Sequence, residues 1–168
     1  MATKATKSSS NANNVPAASA EGPVTRERLI ELLNGDLARE YQAIIAYVVY
    51  SQVIKGAQFM KIAKELEKHA GEELAHALTI SKMVDYLGGT PTVIPESVKM
   101  SEKPQELLQF DLDNETKTIR EYRERVRQCE ALGEFAISEH IREILKDEQE
   151  HAMDLATALG RDVPNMSG

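Results

Sequence analysis

The chain contains no tryptophan, three phenylalanines, five tyrosines and one cysteine, Cys129, among 168 residues. One cysteine excludes an intrachain disulfide framework and any Cys-x-x-Cys electron-transfer module, and makes a reducing cytoplasm the expected setting. No apolar run approaches the roughly 20 residues that a membrane-spanning helix needs, so no membrane partner is expected. The N-terminus also lacks the apolar core of a secretory signal. Positive charge is in deficit: 20 Lys and Arg stand against 27 Asp and Glu, for a formal net charge of −7. Nucleic acid is therefore not an expected partner of the body of the protein.

What is present favours helices. Leu, Ala, Ile, Glu and Lys dominate, in a length that fits one globular domain with a real core. Residues 1–24 are the exception: rich in Ser, Ala, Asn and Thr, with Pro16 and Pro23, they offer little to bury and are expected to form a disordered tail. Lys4 and Lys7 are its only lysines, thin support for a DNA contact, and a solvated tail is the expectation.

Four stretches carry apolar residues at steps of three and four. The first helix is expected from Thr25, its N-cap, to about Lys55, with the stripe Leu29, Leu33, Leu37, Glu40, Ile44, Tyr47, Ser51 and Ile54. The second runs from about Gln58 to Leu87, with Phe59, Ile62, Leu66, His69, Glu73, His76, Ile80, Met83 and Leu87, and stops at Gly88-Gly89. The third starts near Pro104 and carries Leu108, Leu112, Glu115, Ile119, Tyr122, Val126 and Cys129 to about Gly133. The fourth carries Ile137, Ile141, Ile144, Glu148, His151, Leu155 and Leu159, ending at Gly160. Residues 161–168 are left as a C-terminal tail.

Short connections make helices one and two, and helices three and four, antiparallel hairpins. Residues 88–103 have Pro91 and Pro95 and no helical period. Sixteen extended residues span about 53 Å, and the helix before them is about 45 Å long. The connection can therefore run the length of the molecule. The expected fold is all-α: an antiparallel four-helix bundle, residues 25–160, with one long crossover between the second and third helices.

Two Glu-x-x-His runs, Glu73 with His76 and Glu148 with His151, stand in the apolar stripes. Each follows a stripe glutamate of the preceding helix at the same spacing, Glu40 before Glu73 and Glu115 before Glu148. Glu at i and His at i+3 share one helix face, so one ion can touch both. The whole pattern repeats between the two halves at one constant offset: Glu40 matches Glu115, Tyr47 matches Tyr122, and Glu73 and His76 match Glu148 and His151. A lone seam Glu or His is more often a paired core residue than a ligand. Four ionised glutamates together, however, would repel one another and cost several kcal/mol each to bury. Two divalent cations balance the four negative charges. The six residues therefore predict a binuclear metal centre in which Glu40 and Glu115 cap, His76 and His151 each bind one ion, and Glu73 and Glu148 bridge. Carboxylate and imidazole donors suit iron or manganese. His69 is expected to pack behind the ligands, with metal entry as a lesser role, and His140 to be surface. Glu72, Asp147 and Glu150 are expected to point off the seam. Tyr47 and Tyr122, each two turns from a capping glutamate, are core residues for which a redox or hydrogen-bonding role is worth testing.

Over residues 26–160 the chain resembles the ferritin-like superfamily, bacterioferritin type, on the order Glu40, Glu73-x-x-His76, Glu115, Glu148-x-x-His151 and on the run Ile144–His151. That resemblance implies a ferroxidase, which oxidises Fe2+ at a di-iron centre with O2 or H2O2 and stores or detoxifies Fe3+ in a homo-oligomeric shell. It also implies that Tyr47 is the tyrosine near the centre. The family's haem-ligating methionine follows the second-helix glutamate; Leu74 stands there, so haem is not expected. The chain ends at Gly168, too soon after His151 for the short fifth helix of the larger cage, so a Dps-like dodecamer is favoured. The cysteine pair of thioferritins cannot come from Cys129 alone. Two readings compete: a rubrerythrin-like di-metal peroxidase or oxidase using an external electron donor, and a helical interaction module with purely structural metal.

Overall fold

The computed structural model describes residues 24–165, so the predicted tail at 1–24 lies, save for Val24, outside the described residues. Four long helices form: α1 (Arg26–Val53), α2 (Met60–Tyr86), α3 (Pro104–Ala131) and α4 (Phe135–Ala158). A single 3-10 turn, Ala57–Phe59, leads into α2. The fold is the all-α, ferritin-like four-helix bundle. Thr25 caps α1 through its side chain, which accepts from the Arg28 amide at 3.2 Å, and Pro104 opens α3. At the end of α2, Gly88 takes φ +87, and the Gly89 amide closes on the Val84 carbonyl at 2.9 Å. A side chain on Gly89 would collide with Ile30, 2.4 Å from where its Cβ would stand.

α1 packs chiefly on α2 and α3 chiefly on α4, while α1–α3 and α2–α4 contacts close the bundle. The residues 88–103 run along α1 and are held there by polar side chains at steps of eight. Asn34 donates to the Thr90 carbonyl at 3.1 Å and accepts from the Thr92 amide at 2.7 Å. Gln42 donates to the Ser97 carbonyl at 2.6 Å, and the Tyr50 hydroxyl to that of Lys99. These bonds fix the crossover along the whole bundle, so all neighbouring helices are antiparallel.

The predicted stripe of α2 is buried throughout, and so is that of α3. On α1 the burial is wider: Asp36, Arg39, Gln42 and Tyr50 are buried as well, and Ile44 is only half-buried. On α4, Leu159 is half-buried at the helix end. The core divides into two apolar clusters. One gathers Tyr47, Tyr50, Leu66, Leu108, Leu112 and Leu155. The other gathers Leu29, Leu33, Ile80, Tyr122, Ile141 and Ile144. Burying both is the main drive to fold. Between them lies a polar layer.

Candidate metal centre

The layer consists of Glu40, Glu73, His76, Glu115, Glu148 and His151, each no more than 4% exposed. One glutamate comes from each helix and the histidines from α2 and α4. Their donor atoms fall into two sets, each with atoms within 4.8 Å of one another: Glu40, Glu73, His76 and Glu148, and Glu73, Glu115, Glu148 and His151. Glu73 and Glu148 belong to both sets. The structure thus brings together all six residues singled out from the sequence.

The donors face one another and only partly satisfy one another. Nδ1 of His76 lies 3.3 Å from Glu73, 3.4 Å from Glu40 and 3.4 Å from Glu148. Nδ1 of His151 lies 2.9 Å from Glu73 Oε1, yet the geometry is not that of a hydrogen bond. Glu40 Oε2, Glu73 Oε1 and Glu148 Oε1 are likewise buried without a hydrogen-bond partner. Buried polar atoms are normally paired, and each orphaned one costs about 1–3 kcal/mol. Orphans converging from α1, α2 and α4 on shared points, with Glu115 of α3 facing them, fit a pair of divalent cations.

The protonation equilibria carry the same signature. Burial, and then the charge of Glu40, pushes Glu73 up to about 8. Burial, and then the charge of Glu148, holds Glu115 well above the usual carboxylate range. Glu40 goes the other way: burial acts to raise it, but the close approach of His76 and Glu73 outweighs that and holds it below its ordinary value. Burial opposes charge on His151, but contacts with Glu148 and Glu73 prevail and carry it up to about 12. His76 is driven upward in the same manner by Glu148, Glu40 and Glu73. Protons do here what cations would do better, since a proton joins two donors and a metal joins four or more.

Other side chains hold the layer in place. The Tyr47 hydroxyl donates to Glu115 and the Tyr122 hydroxyl to Glu40, so each hairpin's tyrosine grips the other hairpin's capping glutamate. The outer nitrogens of the histidines are also served across the bundle. Nε2 of His151 meets Glu72 at 3.0 Å, and Nε2 of His76 meets Asp147 at 3.3 Å. A carboxylate on the outer nitrogen fixes the ring tautomer and turns Nδ1 inward as a lone-pair donor. Helical spacing alone points Glu72 and Asp147 off the seam; in the fold they reach over it to the opposite histidine. A signal exists in the sequence, because the two occupy matching positions in the two halves, each directly before a motif glutamate. Glu150 does stay at the surface, 3.8 Å from Lys146.

The remaining predicted residues sort simply. His140 is exposed and beside Glu143 at 3.4 Å. Cys129 is fully buried, and burial pushes its thiol up to about 11, which makes it inert packing. Leu74, at the haem-methionine position, is 52% exposed on the outside of α2. His69 is buried, stacks on His151 with ring centroids 4.0 Å apart, and meets Tyr47 edge-on at 5.5 Å. On the far side, between α1 and α3, a cavity of about 10 Å3 lined by Arg39, Gln42, Asn114 and Thr118 opens onto the glutamates. It has room for about one water.

Comparison with known proteins agrees with this geometry. The family model for the ferritin-like domain matches residues 30–162. The bacterioferritin of Rhodobacter capsulatus is 29% identical over 133 residues, 79% of this chain and 83% of that protein. A ferritin-like, diiron-carboxylate protein of Bacillus anthracis superposes with a TM-score of 0.77 at 34% identity, covering 80% of this chain and 96% of that one. The dodecameric thioferritin of Bacteroides fragilis, a bacterioferritin-related protein, does so with a TM-score of 0.75 at 26% identity, covering 82% and 88%. The chain belongs to the ferritin-like family, and within it to the bacterioferritin-type di-iron carboxylate proteins.

Proposed function

We propose that this protein is a ferroxidase that takes up Fe2+, oxidises it at the binuclear centre and stores or detoxifies the Fe3+ inside a homo-oligomeric shell. The observation that carries the proposal is the sharing of Glu73 and Glu148 between two sets of converging donors. Two ions held on common carboxylates can each release one electron to the same oxidant. Two Fe2+ give two electrons, which with two protons reduce O2 to H2O2, or H2O2 to two waters. Glu40 with His76 holds one ion and Glu115 with His151 the other. Glu72 and Asp147 keep the imidazoles oriented as donors. The hydroxyls of Tyr47 and Tyr122 hold the capping carboxylates. Manganese fits the same donors, but only iron offers the oxidation step at issue. Leu74 cannot ligate haem, and no haem is proposed.

A twelve-subunit shell is proposed on the likeness to the dodecameric protein of Bacteroides fragilis. Among the described residues no helix is long and apolar enough to cross a membrane. A chain with a buried lone cysteine and an Fe2+ substrate suits the reducing cytoplasm.

The decisive experiment is solution mass before and after aerobic addition of Fe2+, with oxidation followed optically. Rapid oxidation and many irons retained per chain are expected. Retention of only two irons per chain, with steady peroxide turnover when an electron donor is supplied, would replace storage by a rubrerythrin-like peroxidase role. In Glu73→Gln or Glu148→Gln the initial oxidation rate should fall about a hundredfold or more, because each substitution damages both ion positions. Unchanged oxidation in either variant would sink the centre as assigned.

A further inference from the structure

Among the described residues, one metal-ligating cluster shares no residue with the six-residue centre. Glu65 and His69 are one turn apart on α2, and Asp154 stands on α4 one turn after His151. Each offers a donor atom within 4.8 Å of the others. His69 is only 1% exposed, its Nε2 is 3.3 Å from Asp154 Oδ2, and its Nδ1 has no hydrogen-bond partner. The carboxylate of Asp154 reaches solvent, with 47% of its side chain exposed. Glu65 and Asp154 line the end of a groove of about 240 Å3 between α2 and α4, together with Lys61 and Thr157. His69 also forms a donor group with Glu72 and His151. A continuous run of donors therefore leads from the groove to the centre: Asp154 and Glu65, then His69, then Glu72 and His151, then Glu73.

We propose that Glu65, His69 and Asp154 form a third divalent-cation site, which collects Fe2+ from the groove and delivers it to the binuclear centre. Two carboxylates and one imidazole balance an M2+ ion and leave coordination positions for water, as befits an ion that must move on. The pseudo-two-fold axis points to the same assignment. In the other hairpin the counterparts of Glu65, His69 and Asp154 are His140, Ile144 and Thr79, so no such cluster is repeated there. A buried histidine, its Nδ1 without a hydrogen-bond partner, thus stands where symmetry has an isoleucine. Among the described residues the site is thus single, on the α2–α4 face, opposite the small cavity between α1 and α3.

The delivery role rests on the proposed ferroxidase reading; the site itself does not. The test is anomalous diffraction and equilibrium dialysis of the assembled protein with Co2+, in the wild type and in Glu65→Gln with Asp154→Asn combined. Neither residue belongs to the centre, so the variant keeps the inner positions. The wild type should show three Co2+ per chain, one of them among Glu65, His69 and Asp154, and the double variant two. Two inner ions with nothing at the third position in the wild type would overturn the proposal. So would a third ion that persists in the double variant. An ion at the third position with none among the four glutamates would leave this site standing and overturn the ferroxidase reading instead.

Discussion

The two hairpins, α1–α2 and α3–α4, carry the same ligand pattern in different electrostatic surroundings. Glu40 and Glu115, Glu73 and Glu148, His76 and His151, Tyr47 and Tyr122, and Glu72 and Asp147 are all related by one constant offset along the chain. Each pair also makes the same contact in reverse across the bundle. One turn before the capping glutamates the likeness breaks. Asp36 accepts from Arg39 at 2.5 Å and from Arg125 at 2.7 and 3.1 Å. Its counterpart Asp111 faces the positions where Asn114 and Tyr50 replace those arginines. Burial, then the charges of Glu115 and Glu73, hold Asp111 well above the usual carboxylate range, and its Oδ2 has no partner. The repeat pairs the candidate ligands, and the residues around them differ between the two halves, so the two sets of donors are unequal. Glu40 is held below its ordinary pKa near the Asp36 ion pairs, whereas Glu115 and its neighbour Asp111 are both pushed well above the usual carboxylate range.

The largest test of this contrast is in stability. In Asp36→Asn, Arg39 and Arg125 lose a buried counter-charge, and the loss should be about 3–5 kcal/mol. Asp111 has no cationic partner to strand and its pKa is pushed well above the usual carboxylate range, so Asp111→Asn should change stability by less than about 1 kcal/mol. Chemical denaturation of the metal-free variants measures both. Equal losses would mean that the two aspartates are equivalent and that the asymmetry is misread.

Next in size is the effect of the crossed carboxylates. Glu72→Gln should weaken the ion held by His151, and Asp147→Asn the ion held by His76, each by roughly 10–100-fold. Occupancies refined from crystals grown in limiting Co2+ would show which position empties. If Glu72→Gln instead empties the His76 position, the bracing does not run between hairpins as described. Glu72 also binds Lys68 at 3.1 Å, a partner with no equivalent on Asp147, where the matching position is Glu143. The Glu72 variant therefore disturbs its surface more than the Asp147 variant does.

These contrasts also show what could be read before folding. The stripe of α2 from Phe59 to Leu87 was legible because that face meets one seam, where a step of three or four residues is the whole rule. α1 obeyed it less well because it faces α2, α3 and the crossover at once. Asn34, Gln42 and Tyr50 serve the crossover and lie off the stripe. The six candidate ligands were legible because burying carboxylates is expensive, which makes them stand out against apolar neighbours. Glu72 and Asp147 were not, because a residue beside a ligand gains meaning only when the partner hairpin is docked. The ion pairs of Asp36 with Arg125 escaped for the same reason: the partners are 89 residues apart and share no helix.

The smallest expected effect concerns pH, and its sign follows from the same charges. Glu73 rises from 4.5 to about 8 in the folded chain, and His151 from 6.5 to about 12. A group whose folded pKa is raised contributes stability that is present below its unfolded pKa and lost as pH climbs through the folded one. For Glu73 the loss runs from about 4.5 to 8, and for His151 it begins near 6.5 and continues upward. Both act together between pH 6.5 and 8, so the metal-free protein should melt at progressively lower temperature across that window. Bound Mn2+ replaces those protons and needs deprotonated donors, so the loaded protein should melt at higher temperature as pH rises through the same window. The inequality of the hairpins refines this further. Glu40 is held below its ordinary pKa and Glu115 above it, so an ion entering between Glu115 and His151 competes with protons more than one entering between Glu40 and His76. Binding at the second position should therefore be the steeper function of pH, and at the acidic end of the window a single equivalent of Mn2+ should collect beside Glu40. Calorimetry at the two ends of the window reads the melting temperatures, and crystals at one equivalent read the position. A metal-free melting temperature that rises across the window would mean that the glutamates do not share protons as the geometry requires.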